Sequence, residues 1–217
     1  MVMKKMMLSA TLLGLFAVAG TSLVALTYEG TKERIAHNER TTLLDSLHVL
    51  IPPAQADNDL YADRVEVTDQ ALLGTPDPVT VFRARRAGKP VAVVLTPVAP
   101  DGYGGEIKLL VAINYDGTLA GVRVVSHHET PGLGDKVEAD RSDWILGFAG
   151  RSLENPADEK WKVKKDGGVF DQFTGATITP RAVVKAVHNA LRYYQQHRDE
   201  LFASSPEGKG NEDQAHG

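Results

Sequence analysis

The apolar positions of the chain form three patterns. The first is an uncharged run at residues 6–26, preceded by Lys4 and Lys5. At about 1.5 Å rise per residue, a helix of this length just spans a hydrocarbon core of about 30 Å, so the run predicts a transmembrane helix. A cleaved signal peptide is the alternative, because Ala17 and Ala19 form an A-x-A-like site, although the run continues past it.

The lysines before the run favour a cytoplasmic N-terminus, which places the rest of the chain in the periplasm. Lys32 and Arg34, just beyond the run, weaken this charge asymmetry. Apolar residues at helical spacing then predict that a helix continues out of the membrane until Pro52 and Pro53 stop it. Residues 54–78 are polar and mixed, and contain two short candidate strands at best.

The second pattern consists of strand-like runs in the centre of the chain. They occupy residues 79–85, 90–97, 106–115 and 118–126. Asp116 and Gly117 separate the last two runs and form a strong hairpin signal. These runs predict a mainly antiparallel sheet.

The third pattern is helical and follows the strands. It predicts one helix over residues 135–148 and a second after Thr179, with Thr179 as the N-cap and Pro180 as the first helical residue. A strand-like pair, 161–163 and 169–170, separates the two helices. Strands followed by covering helices indicate an α+β fold.

The patterns together predict four regions. These are a transmembrane anchor at 1–28, a helical and irregular connection at 29–78, an α+β domain at 79–203 and a disordered tail at 204–217. The tail is predicted to be disordered because it is polar and rich in glycine.

Composition removes several classes of function. The formal net charge is −4, and no Lys/Arg stripe alternates with aromatic residues, which argues against nucleic acid as a partner. The chain has no cysteine, which excludes disulfides, thiolate metal sites, a thiol nucleophile and lipoprotein modification. Any redox chemistry must therefore come from a cofactor.

The entrance of the last helix contains more than a helix start needs. In DQFTGAT, residues 171–177, Gly175 and Ala176 keep bulk away from the backbone. A phosphate could then reach the N–H groups at the helix N-terminus, where the macrodipole favours an anion. The alternative is a tight turn in which Gly175 supplies unusual backbone angles and the threonines satisfy local groups.

This stretch resembles the flavinylation motif of the FMN-binding domains in the Rnf electron-transport complex and the sodium-pumping NADH:quinone reductase. In that family the final threonine, here Thr177, carries FMN through a phosphoester that a separate flavin transferase installs. A second stretch, SHHETPGLGDK at residues 126–136, is similar to another signature of the family. With one apolar span and a short chain, the sequence most resembles the RnfG family, the G subunits of Rnf complexes.

The resemblance implies a binding site made from both stretches. Besides Thr177, its residues are Thr174, Gly175, Ala176, Glu129, Thr130, Leu133, Gly134 and Lys136. We expect Leu133 to pack on the ring face, and Glu129 and Thr130 to offer polar contacts. The glycines expose backbone groups that suit the edge of a flavin. The alternative for this stretch is a glycine-rich turn before a helix.

The implied function is that of a covalent flavoprotein in the bacterial inner membrane. It would relay electrons within an ion-translocating ferredoxin:NAD oxidoreductase, with other membrane and peripheral subunits as partners. No acid–base catalytic pair and no independent substrate turnover are expected. The alternatives are the homologous C subunit of a sodium-pumping NADH:quinone reductase, or a periplasmic assembly or sensor module in which Thr177 is unmodified.

A metal site is not expected, although His127 and His128 are adjacent. Neighbouring strand residues point to opposite faces of a sheet, and no third ligand is evident in the sequence.

Overall fold

The N-terminal part of the chain is one long helix. A computed structural model describes residues 2–203, and helix α1 spans Val2–Leu50. Its segment Met3–Lys32 contains an 18-residue window with a mean hydropathy of 1.9 and is long and apolar enough to cross a membrane. The predicted N-terminal apolar helix and its continuation beyond the apolar run are therefore confirmed. The predicted disordered tail, 204–217, lies outside the described residues.

The chain divides into two compact units, Met1–Asp45 and Ser46–Gly217. In the first unit, apolar side chains such as Leu13 and Phe16 are exposed, as expected for a helix whose surroundings are apolar. The second unit contains the sheet and the remaining helices.

The second unit is built on an antiparallel sheet of six strands. The strands are β1 (Arg64–Val67), β2 (Val79–Arg86), β3 (Lys89–Leu95), β4 (Val98–Gly102), β5 (Gly105–Asn114) and β6 (Leu119–Ser126). The four strands predicted from the sequence correspond to β2, β3, β5 and β6. Strand β4 was not predicted, since its sequence, VAPDG, contains Pro100 and lacks alternation.

Strand β5 is the centre of this sheet. Strands β3 and β4 follow one another along one of its edges, and β6 pairs with its other edge. The tight β4–β5 connection and the end of β6 therefore lie at the same end of β5, where Gly102 pairs with Gly105 and Lys108 with Ser126.

Both faces of the sheet are covered. On β5, Val111 belongs to a core cluster that includes residues of the last helix, whereas Ala112 points to the opposite face. Gly121 lies opposite Ala112 in the β5–β6 register, and a Cβ atom at Gly121 would be 2.9 Å from Leu50 Cδ2. The end of α1 therefore packs on the second face, which explains why β5 is a continuous apolar run.

Helix α3, Ile178–Phe202, covers the first face. Its buried residues include Val183, Val187, Ala190, Leu191 and Tyr194, the apolar face predicted from the sequence. The short helix α2, Gln70–Leu73, precedes β2 and is capped by the Asp69 carboxylate, which accepts a hydrogen bond from Leu72 N at 2.9 Å. These elements confirm the α+β prediction.

The predicted helix over residues 135–148 is wrong. Two separate 3₁₀ helices, Gly134–Val137 and Asp143–Phe148, occupy this segment. Ser142 interrupts it: its hydroxyl donates to Lys136 O at 2.6 Å and accepts from Trp144 N at 3.3 Å, so it caps the second helix.

The predicted strand pair after this segment is reduced to one bridge between Val163 and Phe170. Two further 3₁₀ helices, Asp158–Lys160 and Lys164–Asp166, take up much of the surrounding chain.

Candidate functional site

The two stretches singled out in the sequence meet in the fold. A Cβ atom placed on Gly175 would lie 3.3 Å from Leu133 Cδ2, so the Leu133 side chain lies directly beside the Gly175 backbone. Leu133 is 40% exposed, so this contact lies at the surface and leaves an apolar side chain open to solvent. The predicted site residues on both stretches are thus neighbours, although the two stretches are far apart in sequence.

The turn before α3 is built around Gly175. Its φ of 84° is in the left-handed region, which glycine adopts without steric cost. Ala176 N donates to Phe173 O at 3.2 Å and closes the turn. Thr174 and Gly175 are exposed at its tip, and Ala176 is partly buried.

Aromatic packing anchors this turn to the core. Phe173 is buried, and its ring meets that of Trp144 at a centroid distance of 5.1 Å in an edge-to-face arrangement. Trp144 Nε1 also donates to Asp171 O at 2.8 Å. Sequence reasoning did not assign this role to Trp144, because nothing in the local pattern links it to a segment 27 residues later.

Surface ion pairs form a second set of contacts around the start of this turn. Lys164 Nζ lies 2.6 Å from Asp171 Oδ1. Arg181 on α3 donates to both carboxylate oxygens of Asp166, and these hydrogen bonds lower the pKa of Asp166 and raise that of Arg181. These ion pairs are exposed and contribute little stability individually.

Helix α3 begins two residues earlier than the sequence predicted. Thr177 is the N-cap residue and Ile178 the first helical residue, so the prediction of Thr179 as N-cap and Pro180 as first residue is wrong. Pro180 is still tolerated, because N–H groups in the first helical turn have no partner within the helix.

Thr177 does not act as an ordinary cap. Its backbone has φ −85° and ψ −19°, and its side chain makes no capping hydrogen bond. The residue is partly exposed. A hydroxyl group therefore lies beside free N–H donors at the positive end of a 25-residue helix.

Thr179 has the opposite environment. It is fully buried, and its Oγ1 donates a short hydrogen bond to Glu129 Oε2. Glu129 is 5% exposed, and its Oε1 accepts a hydrogen bond from Gly104 N at 2.9 Å. The glutamate expected to offer a polar contact at the site is thus enclosed by its own chain.

The remainder of the loop after β6 is more open. Thr130, Pro131, Gly132 and Leu133 are exposed, while Gly134 is buried and Lys136 partly buried. Leu133 N and Gly134 N both donate to Thr130 O, which closes a tight turn.

Of the two histidines before this loop, one has a structural role. His127 Nε2 lies 2.6 Å from Glu138 Oε1, and His127 Nδ1 accepts from Glu129 N at 3.0 Å. His128 is exposed. The side chains that the structure describes include no group of three or more His, Cys, Asp or Glu residues that could hold a metal ion.

One buried acceptor lies beside this loop. Among the side chains that the structure describes, Asp135 Oδ1 is the single buried oxygen or nitrogen that has no hydrogen-bond partner. Such atoms are rare in folded proteins, since an unpaired buried polar atom is costly. A water molecule or a ligand N–H or O–H group could satisfy it.

Sequence comparison relates this arrangement to known proteins. Residues 102–192 match the FMN-binding domain family, and residues 1–50 match the RnfG N-terminal region. The first match covers the β4–β5 connection, the loop after β6 and the start of α3. Relatives named as the G subunit of an ion-translocating oxidoreductase complex align with nearly the whole chain.

One such relative, from Pseudoalteromonas atlantica, is 51% identical over 90% of this chain and 91% of its own length. This chain belongs to the G-subunit family of ion-translocating oxidoreductase complexes. The family member from Pseudomonas aeruginosa is 50% identical over 96% of this chain and 97% of its own length. That from Shewanella oneidensis is 48% identical, with 91% and 93% covered.

The residues present at the site fit an FMN group. The uncapped Thr177 hydroxyl and the free N–H donors of α3 suit a phosphate, and exposed Leu133 suits an aromatic ring. Gly175 keeps the turn free of a side chain between them.

Proposed function

We propose that this chain is a membrane-anchored covalent flavoprotein that relays electrons within an ion-translocating ferredoxin:NAD oxidoreductase complex. Its family and its match to the FMN-binding domain support this function. The observation that carries the proposal is the environment of Thr177, whose uncapped hydroxyl lies at the N-terminus of α3, after the turn whose Gly175 lies beside Leu133.

We assign the covalent bond to Thr177 rather than to its neighbours. Thr179 is fully buried and its hydroxyl is engaged by Glu129. Thr174 is exposed, but Gly175 and Ala176 separate it from the N-cap residue of the helix. Thr177 alone among the three combines an accessible hydroxyl with the adjacent N–H donors that stabilise a phosphate.

The bond is a phosphoester between Thr177 Oγ1 and the FMN phosphate, formed with the net loss of one water. The FMN group supplies reversible electron transfer, and the protein supplies attachment, orientation and tuning. In this proposal, Leu133 and Thr130 contact the ring system, and Lys136 contacts the phosphate or a ring oxygen. A carrier that exchanges no substrate needs no acid–base catalyst.

The proposal includes partners and a location. Other membrane and peripheral subunits of an Rnf-type complex exchange electrons with this one, and a flavin transferase attaches its FMN. The N-terminus is cytoplasmic, the anchor lies within residues 1–28, and the FMN-binding domain is periplasmic.

The boundaries of the FMN-binding domain, 79–203, and of the connection, 29–78, also remain proposals. Strand β1 and helix α2 precede residue 79 but pack within the second compact unit.

Peptide mass mapping of the protein from its membrane tests the attachment. We expect the peptide that contains Thr177 to be heavier by FMN minus one water, and fragmentation to place the added mass on Thr177. The same mass on Thr174 or Thr179 would overturn the assignment, and its absence from the whole protein would overturn covalent attachment.

A reporter fusion tests the topology. A periplasm-active reporter fused after Tyr194 should be active and remain with the membrane fraction. A reporter active only in the cytoplasm would reverse the orientation, and release into the soluble periplasm would indicate a cleaved signal peptide instead of an anchor.

A further inference from the structure

Glu129 connects three separate segments in the interior. Its Oε1 accepts from Gly104 N in the β4–β5 connection, at 2.9 Å, and its Oε2 accepts from Thr179 Oγ1 in the first turn of α3. Its own backbone belongs to the loop after β6. A carboxylate this deeply buried is tolerated only where donors replace water, and here two different segments supply them.

Glycines allow the chain to approach this carboxylate closely. A Cβ atom on Gly102 would lie 2.8 Å from Glu129 Oε1, and one on Gly134 would lie 2.6 Å from Oε2. A Cβ atom on Gly104 would lie 1.9 Å from His128 O, which is an impossible contact. The carboxylate therefore has little freedom to move, and neither do the segments that it joins.

The bond to Thr179 places this fixed point next to the attachment turn. Thr179 is two residues after Thr177 and belongs to the first turn of the helix that Thr177 begins. In the described part of the chain, it is the only hydrogen bond between the loop 127–134 and the first turn of α3. Whatever holds Thr179 also sets where Thr177 lies relative to Leu133.

We infer that Glu129 is a positioning residue, which acts through Thr179 to present the Thr177 hydroxyl for flavin attachment and does not touch the flavin itself. This inference rests on the proposed function. Attachment requires the hydroxyl and the incoming phosphorus to be aligned, and a displacement of about 1 Å can slow such a step by up to about 100-fold. The same carboxylate also holds the loop that carries Leu133. Glu129 therefore fixes the positions of both the Thr177 hydroxyl and Leu133.

The test compares variants at both ends of the bond with a control at the other end of α3. Glu129→Ala removes the acceptor, Thr179→Val removes the donor with little change in shape, and the double variant removes both. Glu129→Gln keeps an acceptor for Gly104 N. The control is Asp63→Ala, which removes a carboxylate that pairs with Arg83 and Arg85.

The main measurement is the initial rate at which covalent flavin appears on the Thr177 peptide after the flavin transferase is induced. We expect Glu129→Ala and Thr179→Val each to slow attachment at least about tenfold, and the double variant to be no slower than the single ones. Glu129→Gln should be intermediate. Asp63→Ala should attach flavin at the normal rate, even where its melting temperature falls as far as that of Glu129→Ala.

A second measurement uses protein without flavin, produced without the transferase. Hydrogen–deuterium exchange of residues 173–177 should be faster in Glu129→Ala and Thr179→Val and unchanged in Asp63→Ala. Normal attachment rates in both site variants, or equal slowing in Asp63→Ala, would overturn the inference. Should Glu129→Ala not fold, Thr179→Val and Glu129→Gln decide it.

The two proposals fail in different ways. A wild-type protein without covalent flavin would overturn the proposed function. In that case, unchanged hydrogen exchange of residues 173–177 in Thr179→Val would show separately that Glu129 does not hold the turn.

Discussion

The two ends of helix α3 are held in opposite ways. At the C-terminal end, Arg83 Nη1 donates to Ala203 O at 3.0 Å and Arg85 Nη2 donates to Phe202 O at 3.1 Å. Asp63 pairs with both arginines. At the N-terminal end, the side chain of Thr177 makes no cap, and the helix is tied to the rest of the domain by the buried Thr179–Glu129 hydrogen bond and the exposed Arg181–Asp166 ion pair.

The C-terminal end of α3 therefore has a structural role, and the N-terminal end is suited to binding a ligand. Cations at a helix C-terminus satisfy the last carbonyls and complement the dipole, so the C-terminal end is closed by the protein itself. At the N-terminal end, the first backbone N–H groups and the Thr177 hydroxyl remain available. This end is fixed by the buried hydrogen bond between Thr179 and Glu129. A helix end left open in an otherwise well-satisfied fold is a place where a ligand can bind.

The largest expected effect is at the open end of α3, its N-terminus at Thr177. Thr177→Ala should abolish covalent flavin completely, because the hydroxyl that forms the bond is gone. Its free energy of unfolding should change by less than about 0.5 kcal/mol, since the side chain makes no cap. Flavin absorbance after denaturation and chemical unfolding measure the two quantities.

Thr174→Ala is the matched control for this variant, because Thr174 is on the same turn and exposed. It should retain the flavin. Covalent flavin at the normal level in Thr177→Ala would contradict the assignment of the open end.

The second largest effect is expected at the closed end of α3, its C-terminus. Arg83→Met should lower the free energy of unfolding by about 2–3 kcal/mol, because it removes a buried guanidinium from Asp63 and leaves Ala203 O without that donor. Flavin attachment should be unchanged in the folded protein. Loss of flavin with normal stability would mean that the two ends are not independent.

The third effect concerns the shape of the turn. Gly175→Ala places a Cβ in the left-handed region, which costs about 1–2 kcal/mol. The new atom would also lie 3.3 Å from Leu133 Cδ2. We expect lower stability and slower flavin attachment, measured by unfolding and by absorbance.

Gly132→Ala distinguishes the effect of left-handed backbone strain from that of the close approach to Leu133. Gly132 has a φ of 78°, but a Cβ there would have no atom within 4 Å. It should lose similar stability and attach flavin faster than Gly175→Ala. Equal attachment rates would show that the Leu133 contact has no influence on the site.

The smallest effect lies between the two ends of α3. Burial lowers the pKa of His188, and the hydrogen bond to Asp158 opposes this only in part. Below about pH 6.5 the unfolded chain therefore takes up a proton more readily than the folded chain, so stability falls with falling pH through this window. Chemical unfolding at pH values of about 7.5 and about 5.5, on either side of the usual histidine pKa, should show a larger loss for the wild type than for His188→Phe.

Asp158→Asn provides the opposite change, because it removes the group that raises the pKa of His188. Its loss of stability on acidification should be steeper than that of the wild type. A His188 pKa above about 6.5 in the folded wild type, measured by NMR, would reverse the expected loss of wild-type stability on acidification.

The sheet and the last helix could be predicted from the sequence, because alternation and helical spacing report burial directly. Strand β4 could not, since its pairing depends on its position along β5 and not on its own residues. The segment 135–148 has helical spacing, but the Ser142 hydroxyl competes for backbone groups and divides it.

The sequence identified the two stretches of the candidate site, but it did not predict the side-chain contacts between them. The sequence does not show which of the Thr177 and Thr179 hydroxyls is accessible; in the fold, Thr179 is buried against Glu129 and Thr177 is not. That bond joins residues 50 positions apart, and local pattern carries no information on such a pair. Trp144 is another example, because its role depends on the fold that brings it to Asp171.

The packing of Leu50 on the sheet determines how a soluble fragment of this protein should be cut. Leu47, Leu50 and Ile51 are almost fully buried, and Leu50 covers Gly121. A fragment that begins at Ser46 keeps this cover, whereas one that begins at Pro52 leaves an apolar sheet face open to water and prone to aggregation. Expression without the anchor should therefore retain the last turn of α1.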